Sequence, residues 1–161
     1  MRLIASSLAL VAALALAATA RAAILPGAVA DGGAPQRGKT VLVRPVQIIY
    51  TGDGSGFLAG TGASGRHPKF GKIKWSAWTG TAALGSGADW LNNCKPFCAA
   101  GSFSQHPVNI KLYRPRRMVG LEVFTRMTIH YTATANPYTH QHVETFTLTR
   151  SGRLLFWNVQ G

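Results

Sequence analysis

Apolar and polar residues alternate along much of the chain after Thr40, and this period of two most constrains the fold. The alternation is clearest over residues 72–77, 108–113 and 126–131. Successive side chains of a β-strand point to opposite faces, so the pattern predicts half-buried antiparallel strands. Residues 145–149 and 154–159 indicate two more strands, joined by a tight turn at Ser151-Gly152.

An apolar stripe with helical spacing is not evident after the first 20 residues, and β-branched and aromatic residues fill the periodic stretches. A strand is expected from Val41 to Tyr50, ended by the turn at 51–54, and residues 124–132 are expected to pair with 141–149. Trp75 and Trp78 are three apart, which would place them on opposite faces of a strand. About seven or eight short strands predict an all-β fold, a single antiparallel sandwich or barrel over 41–161.

The first residues have the layout of a secretory signal peptide. Arg2 precedes an uncharged run rich in Ala and Leu, which ends at Ala20 and is followed by Arg21; Ala-x-Ala patterns stand at 18–20 and 20–22. We therefore expect a signal peptide over 1–20, a protein secreted to the extracellular space and no stable membrane anchor. Residues 21–40 contain Gly and Pro without any periodic pattern, and they predict a flexible lead-in to the domain.

The chain is basic without being rich in charge. Its 161 residues include 17 Lys and Arg but 5 Asp and Glu, for a formal charge of +12. Most cationic groups therefore lack an acidic partner and face either water or an external anion. The densest stretches supply six candidate anion-binding residues: Lys69, Lys72, Lys74, Arg114, Arg116 and Arg117. The ordinary alternative is a solvated positive surface that keeps the protein soluble.

Cys94 and Cys98 lie in the most distinctive segment of the chain. In an exported protein, a C-x3-C pair around Pro96 favours a local disulfide, which would contribute about 2 kcal/mol by the chain-entropy model. A redox site usually has C-x-x-C before a helix, and structural zinc takes four ligands. These alternatives are therefore weaker, and the sequence predicts no cofactor.

Several segments together resemble a family of short secreted actinobacterial proteins of unknown function. They are the Gly-Asp-Gly turn at 52–54, Trp-x-x-Trp at 75–78, Asn-Cys-x-Pro-x-Cys-Ala-Ala-Gly at 93–101 and His-Pro-Val at 106–108. The resemblance runs from about residue 47 to the C-terminus, and it implies export, a single β domain and a Cys94–Cys98 bridge. It implies no activity. The chain departs from the family at Thr51, where relatives often have a cysteine.

Two sets of residues are candidates for chemistry. His140 and His142 share one face of an extended segment, and His130 would lie on the neighbouring strand. Three histidines placed close together in this way could hold a zinc ion and leave its fourth position open. An exposed turn near Asn-Pro is the commoner setting for such histidines, and no metal site is predicted. Alternatively, His142, Glu144 and Arg126 would exchange protons and stabilise a phosphate, as in small secreted ribonucleases. A cross-strand ion pair is the simpler interpretation of Glu and Arg there.

These observations favour an exported, monomeric, non-catalytic β-domain that binds an extracellular anionic or carbohydrate partner. A phosphate-bearing wall polymer or an acidic glycan fits the charge, and contact with nucleic acid would be non-specific. One alternative is a small hydrolase of ribonuclease type. Another is an inhibitor or toxin-like module that contacts a second protein through the loop 94–98 and its exposed Phe97.

Overall fold

The computed structural model describes residues 25–31 and 41–160, and strands dominate that part of the chain. The predicted signal peptide over 1–20 lies outside the described residues. A short 3-10 helix, Cys98–Ala100, interrupts the strands once. The strands in chain order are β1 Ala28–Val29, β2 Val41–Leu42, β3 Ile48–Ile49, β4 Gly56–Ala63, β5 Lys69–Gly71, β6 Lys74–Trp78, β7 Ala82–Asn92, β8 Phe103–Met118, β9 Leu121–Tyr131, β10 Val143–Ser151 and β11 Leu154–Val159.

Nine of these strands form one antiparallel sheet that curls into a half-barrel, which confirms the all-β prediction. The order across the sheet is β11-β10-β9-β8-β7-β4-β3, with β6 beside β7 and β5 beside β4. The expected pairing of 124–132 with 141–149 is present, since His130 lies opposite Val143. The central strands are longer than predicted, and β8 alone has 16 residues. The described residues include no helix with the length and apolarity that crossing a bilayer takes.

The curl of the sheet encloses the main core. Alternate residues of β8, β9 and β10 point inward, including Leu112, Phe124 and Phe146, while their neighbours face outward. A second, smaller cluster lies on the other side of the sheet, where Phe57 and Trp90 stack with ring centroids 6.2 Å apart. One face of the central strands therefore packs inward, and a hairpin of β4 and β5 covers part of the other.

Residues 25–31 are packed into the fold, so the prediction of a flexible lead-in over 21–40 is wrong for them. Ala28 and Val29 are buried in the main core. Gly27 exchanges backbone hydrogen bonds with Glu122 and Phe124 on β9, and Ala30 accepts one from Ile49 on β3. Small residues allow this segment to enter the half-barrel, where it links two strands that are far apart in the sheet. The Gly and Pro content signalled irregular backbone but not burial.

The expected strand from Val41 to Tyr50 is broken into β2 and β3. Arg44 has a φ of 52°, and Pro45 has no amide proton to donate to a neighbouring strand. Val43 and Val46 are exposed between the two short strands. The β-branched composition predicts extended chain, which is confirmed at β2 and β3 only, since bends occupy most of residues 43–47 between them.

Trp75 and Trp78 lie against each other, and the expectation of opposite faces is wrong. Their ring centroids are 4.8 Å apart, with the rings nearly perpendicular. The pairing of β6 with β7 shifts by one residue between Trp75 and Ala77. Such a bulge adds one residue to the strand and reverses the alternation of faces beyond it.

Candidate functional site

A cleft of about 580 Å³ lies at one end of the half-barrel. Its wall combines aromatic rings with amide, hydroxyl and carboxyl groups, and most of the polar groups belong to loops and strand ends. The residues that carry this character are Tyr50, Tyr138, Phe146, Trp157, Asn92, Asn93, Asn136, Thr139, Asn158 and Glu144. A cleft of this size and composition is typical of a site for a small organic ligand.

Two carboxyl groups are buried together behind this wall. Glu144 on β10 is 4% exposed and lines the cleft, while Asp89 on β7 is fully buried. The Tyr131 hydroxyl lies between them, 2.5 Å from Oδ2 of Asp89 and 3.3 Å from Oε2 of Glu144. The hydroxyl has one proton to donate, so it serves one carboxyl group at a time.

Neutral donors supply the remaining hydrogen bonds of the two carboxyl groups. The Tyr50 hydroxyl donates to Asp89 at 2.8 Å. The Asn136 amide donates to Oε1 of Glu144 at 3.0 Å, and the Thr139 hydroxyl donates to the same oxygen at 2.6 Å. We call these six residues, Tyr50, Asp89, Tyr131, Asn136, Thr139 and Glu144, the carboxyl network.

Burial changes the acidity of the network. Desolvation raises the pKa of Asp89 from 3.8 to about 7, against the opposing effect of the hydrogen bonds from Tyr131 and Tyr50. The charge of Glu144 raises the pKa of Asp89 further. Burial and the nearby Asp89 also raise the pKa of both Tyr50 and Tyr131, so both phenols keep their protons. Asp89 therefore exchanges a proton near neutral pH.

The described residues around the cleft include no cationic side chain, although the protein is strongly basic. Glu144 lines the cleft, and no Lys or Arg of the described ranges does so. All Lys and Arg side chains in the described ranges are exposed except Arg126, which is half-buried. The electrostatic character of the cleft is therefore opposite to that of the outer surface.

The predicted disulfide forms one rim of the cleft. Cys94 and Cys98 are bonded to each other, as expected. Asn92 braces the loop, because its side-chain amide donates to the Cys98 carbonyl at 2.8 Å and its Oδ1 accepts from the Cys94 amide at 2.9 Å. The Tyr138 hydroxyl contacts the Asn92 carbonyl at 3.3 Å across the cleft mouth. Phe97, at the outer end of this loop, is 62% exposed.

The structure does not bring His142, Glu144 and Arg126 together. His142 is exposed in the loop before β10, whereas Glu144 points inward. Arg126 lies opposite Thr147 and hydrogen-bonds to its hydroxyl, on the outer face of the sheet. Strand alternation puts Glu144 on the inner face, so Arg126 and Glu144 are separated by the sheet.

The histidines and the basic residues are placed separately from the cleft. His130 and His140 are exposed like His142, and no cluster of three or more potential metal ligands occurs among the described residues. Lys72 and Lys74 flank a small hollow of about 120 Å³ with Thr61 and Ser86. The remaining candidate anion-binding residues are exposed in two groups, Lys69 on β5 and Arg114, Arg116 and Arg117 on β8.

Sequence reasoning missed most of the carboxyl network. Asp89 is 39 residues from Tyr50 and 42 from Tyr131, and no local spacing connects such partners. One signal was present, since Asp89 stands between Ala88 and Trp90 in an apolar stretch of a strand. An acidic residue in such a stretch indicates a buried and functionally interesting carboxyl group.

Comparison with known proteins gives no match: no family model, no curated protein and no solved structure is similar to this chain. The resemblance to secreted actinobacterial proteins stays a hypothesis.

Proposed function

We propose that this protein is an exported, non-catalytic β-domain that binds an extracellular glycan and takes one of its sugar units into the cleft. The observation that carries the proposal is the composition of the cleft wall, in which aromatic rings stand beside amide, hydroxyl and carboxyl groups. Sugars present apolar ring faces together with many hydroxyl groups. A wall of this mixed kind suits both parts of such a ligand.

The walls of the cleft are also preorganised by contacts within the protein. The disulfide and Asn92 hold one rim, and the Asn136 side chain accepts hydrogen bonds from the amides of Tyr138 and Thr139 on the other. Tyr50 and Phe146 pack with their ring centroids 5.0 Å apart. Ordered walls lose little conformational entropy on binding, which favours recognition of a weakly binding ligand such as a sugar.

A panel of immobilised neutral, acetylated, amino and acidic oligosaccharides at physiological salt tests the proposal. We expect binding to at least one member, and Tyr138→Ala should weaken it about 10-fold because Tyr138 is an exposed aromatic residue at the cleft mouth. Tyr113→Ala is the matched control, since Tyr113 lies on the outer face beside Lys111. Failure to bind any glycan, or equal losses in both variants, would reject the proposal.

The basic surface favours a second candidate, adhesion to a polyanion. The specific observation is the hollow between Lys72 and Lys74, where hydroxyls of Thr61 and Ser86 add hydrogen-bonding groups. Binding of this kind weakens steeply with salt because counterions are released. Lys72→Gln with Lys74→Gln should reduce the salt dependence of polyphosphate binding, and an unchanged dependence would eliminate this hollow as the site.

A further inference from the structure

Glu144 has one oxygen with unused capacity to accept a hydrogen bond. Its Oε1 accepts from both Asn136 and Thr139, but Oε2 is near a single donor, Tyr131, at 3.3 Å. That phenol is closer to Oδ2 of Asp89, at 2.5 Å. Glu144 is among the residues that line the cleft, so a ligand there meets a carboxyl group whose contacts come from neutral donors.

This carboxyl group also has no cationic partner in its network. A buried carboxylate normally has a cation or several strong donors nearby, because removing its charge from water is costly. In the part of the chain that the structure describes, hydroxyl and amide groups provide the contacts of Glu144, and no Lys or Arg side chain does so. The cleft therefore provides negative charge and leaves the counter-charge to the ligand.

The aromatic side chains around Glu144 suit a cation as well. Tyr50, Phe146 and Trp157 line the same cleft, and the faces of aromatic rings attract ammonium groups. Phe146 is two residues from Glu144 on β10, so both side chains face inward from one strand. Carboxyl and aromatic groups thus meet in one small volume.

We propose that the cleft selects a sugar unit bearing a protonated amino group, with the ammonium placed against the carboxyl group of Glu144 and the ring among the aromatic side chains. This inference rests on the proposed glycan-binding function and specifies its ligand. The positive surface does not prevent such binding, because charges in water are screened over about 8 Å at physiological salt. Among the described residues that line the cleft, Glu144 carries the acidic side chain.

Titration calorimetry at pH 6.5 and physiological salt tests the selection with two tetrasaccharides, one of glucosamine and one of N-acetylglucosamine. Acetylation removes the positive charge and keeps the sugar backbone. We expect the glucosamine tetramer to bind at least about 10-fold more tightly, which corresponds to one charge-assisted contact. Equal affinities, or a preference for the acetylated tetramer, would overturn the inference while leaving the glycan-binding proposal intact.

Glu144→Gln is the decisive variant, because it removes the charge with little change in shape. It should abolish the preference, whereas Glu122→Gln, at an exposed carboxyl group on β9, should retain it. A preference that survives Glu144→Gln would contradict the assignment. Absence of binding by both tetramers would overturn the inference, whereas the glycan-binding proposal is rejected only if the whole oligosaccharide panel fails to bind. Equal binding of a lysine-containing tetrapeptide would overturn the inference because the sugar would not be recognised.

Discussion

Asp89 is the residue whose protonation is most affected by folding. It is fully buried, and both of its hydrogen-bond donors are phenols that themselves resist ionisation. Charge on Asp89 is therefore unfavourable in the folded protein compared with the unfolded chain. This makes the stability of the fold depend on pH in a direction unusual for an acidic residue.

We predict that Asp89→Asn removes a pH-dependent loss of stability. The pKa of Asp89 is 3.8 when exposed and about 7 in the fold, so the folded state binds the extra proton between these values. The contribution of Asp89 is then constant below pH 3.8, and stability falls as the pH rises towards 7, by about 4 kcal/mol in total. Asparagine mimics the neutral acid, so the variant should become more stable relative to the parent protein as pH rises from 4 to 8.

Urea unfolding at a series of pH values measures this difference, with Asp53→Asn as the control. Hydrogen bonds from Ser55 lower the pKa of Asp53, so its stabilising contribution is present above pH 3.8 and is lost as the pH falls further. Asp53→Asn should therefore leave the slope between pH 4 and 8 unchanged. A parallel pH profile for Asp89→Asn and the parent protein would contradict the placement of Asp89.

At the scale of single elements, the loop 92–101 depends on a glycine next to its bracing asparagine. A Cβ at Gly101 would overlap Oδ1 of Asn92, the atom that accepts from the Cys94 amide. We predict that Gly101→Ala lowers the free energy of unfolding by about 1–3 kcal/mol, as overpacking usually does. Gly80→Ala is the control, since a Cβ at Gly80 meets open space. Equal denaturant midpoints for the two variants would show that the loop is not braced in this way.

The segment 25–31 is the second element with a structural role. Trp157 donates to the Val29 carbonyl at 3.1 Å, and Trp78 donates to the Pro26 carbonyl at 2.9 Å. We predict that a chain beginning at residue 32 is less stable than one beginning at residue 25 by about 3 kcal/mol or more. Such a chain loses buried apolar groups and leaves buried polar groups without partners. Thermal unfolding compares the two, and coincident transitions would mean that the segment does not support the core.

The sequence predicted elements with a regular period and missed those held by distant contacts. The pairing of His130 with Val143 follows from two local patterns around one loop. The packing of Val29 beneath Trp157 joins residues 128 positions apart, and no local pattern indicates it. The same difference explains which features of the site could be predicted. Cys94 and Cys98 are close in sequence, so their bridge was predictable, whereas Asp89 contacts its partners only through the tertiary fold.

At the scale of the whole molecule, charge is sorted between surface and interior. The described Lys and Arg side chains are at the surface, while two of the five acidic residues of the chain, Asp89 and Glu144, are buried beside one cleft. The net charge of the sequence indicates an anionic partner, because it sums surface cations and buried carboxyl groups without regard to their positions. The positions of the two buried carboxyl groups depend on the fold, and they indicate the cleft as the binding site.

The four tryptophans allow the central claim, that the cleft binds the ligand, to be tested in a single experiment. Trp157 lines the cleft, whereas Trp75 and Trp78 pack elsewhere along the half-barrel and Trp90 belongs to the cluster on the other side of the sheet. The measurement is a titration of ¹⁵N-labelled protein with the glucosamine tetramer, following the four indole N–H resonances. We predict that the Trp157 resonance shifts and saturates while that of Trp90 does not move. Shifts at Trp90 without any at Trp157, or no shift at any indole, would contradict the claim.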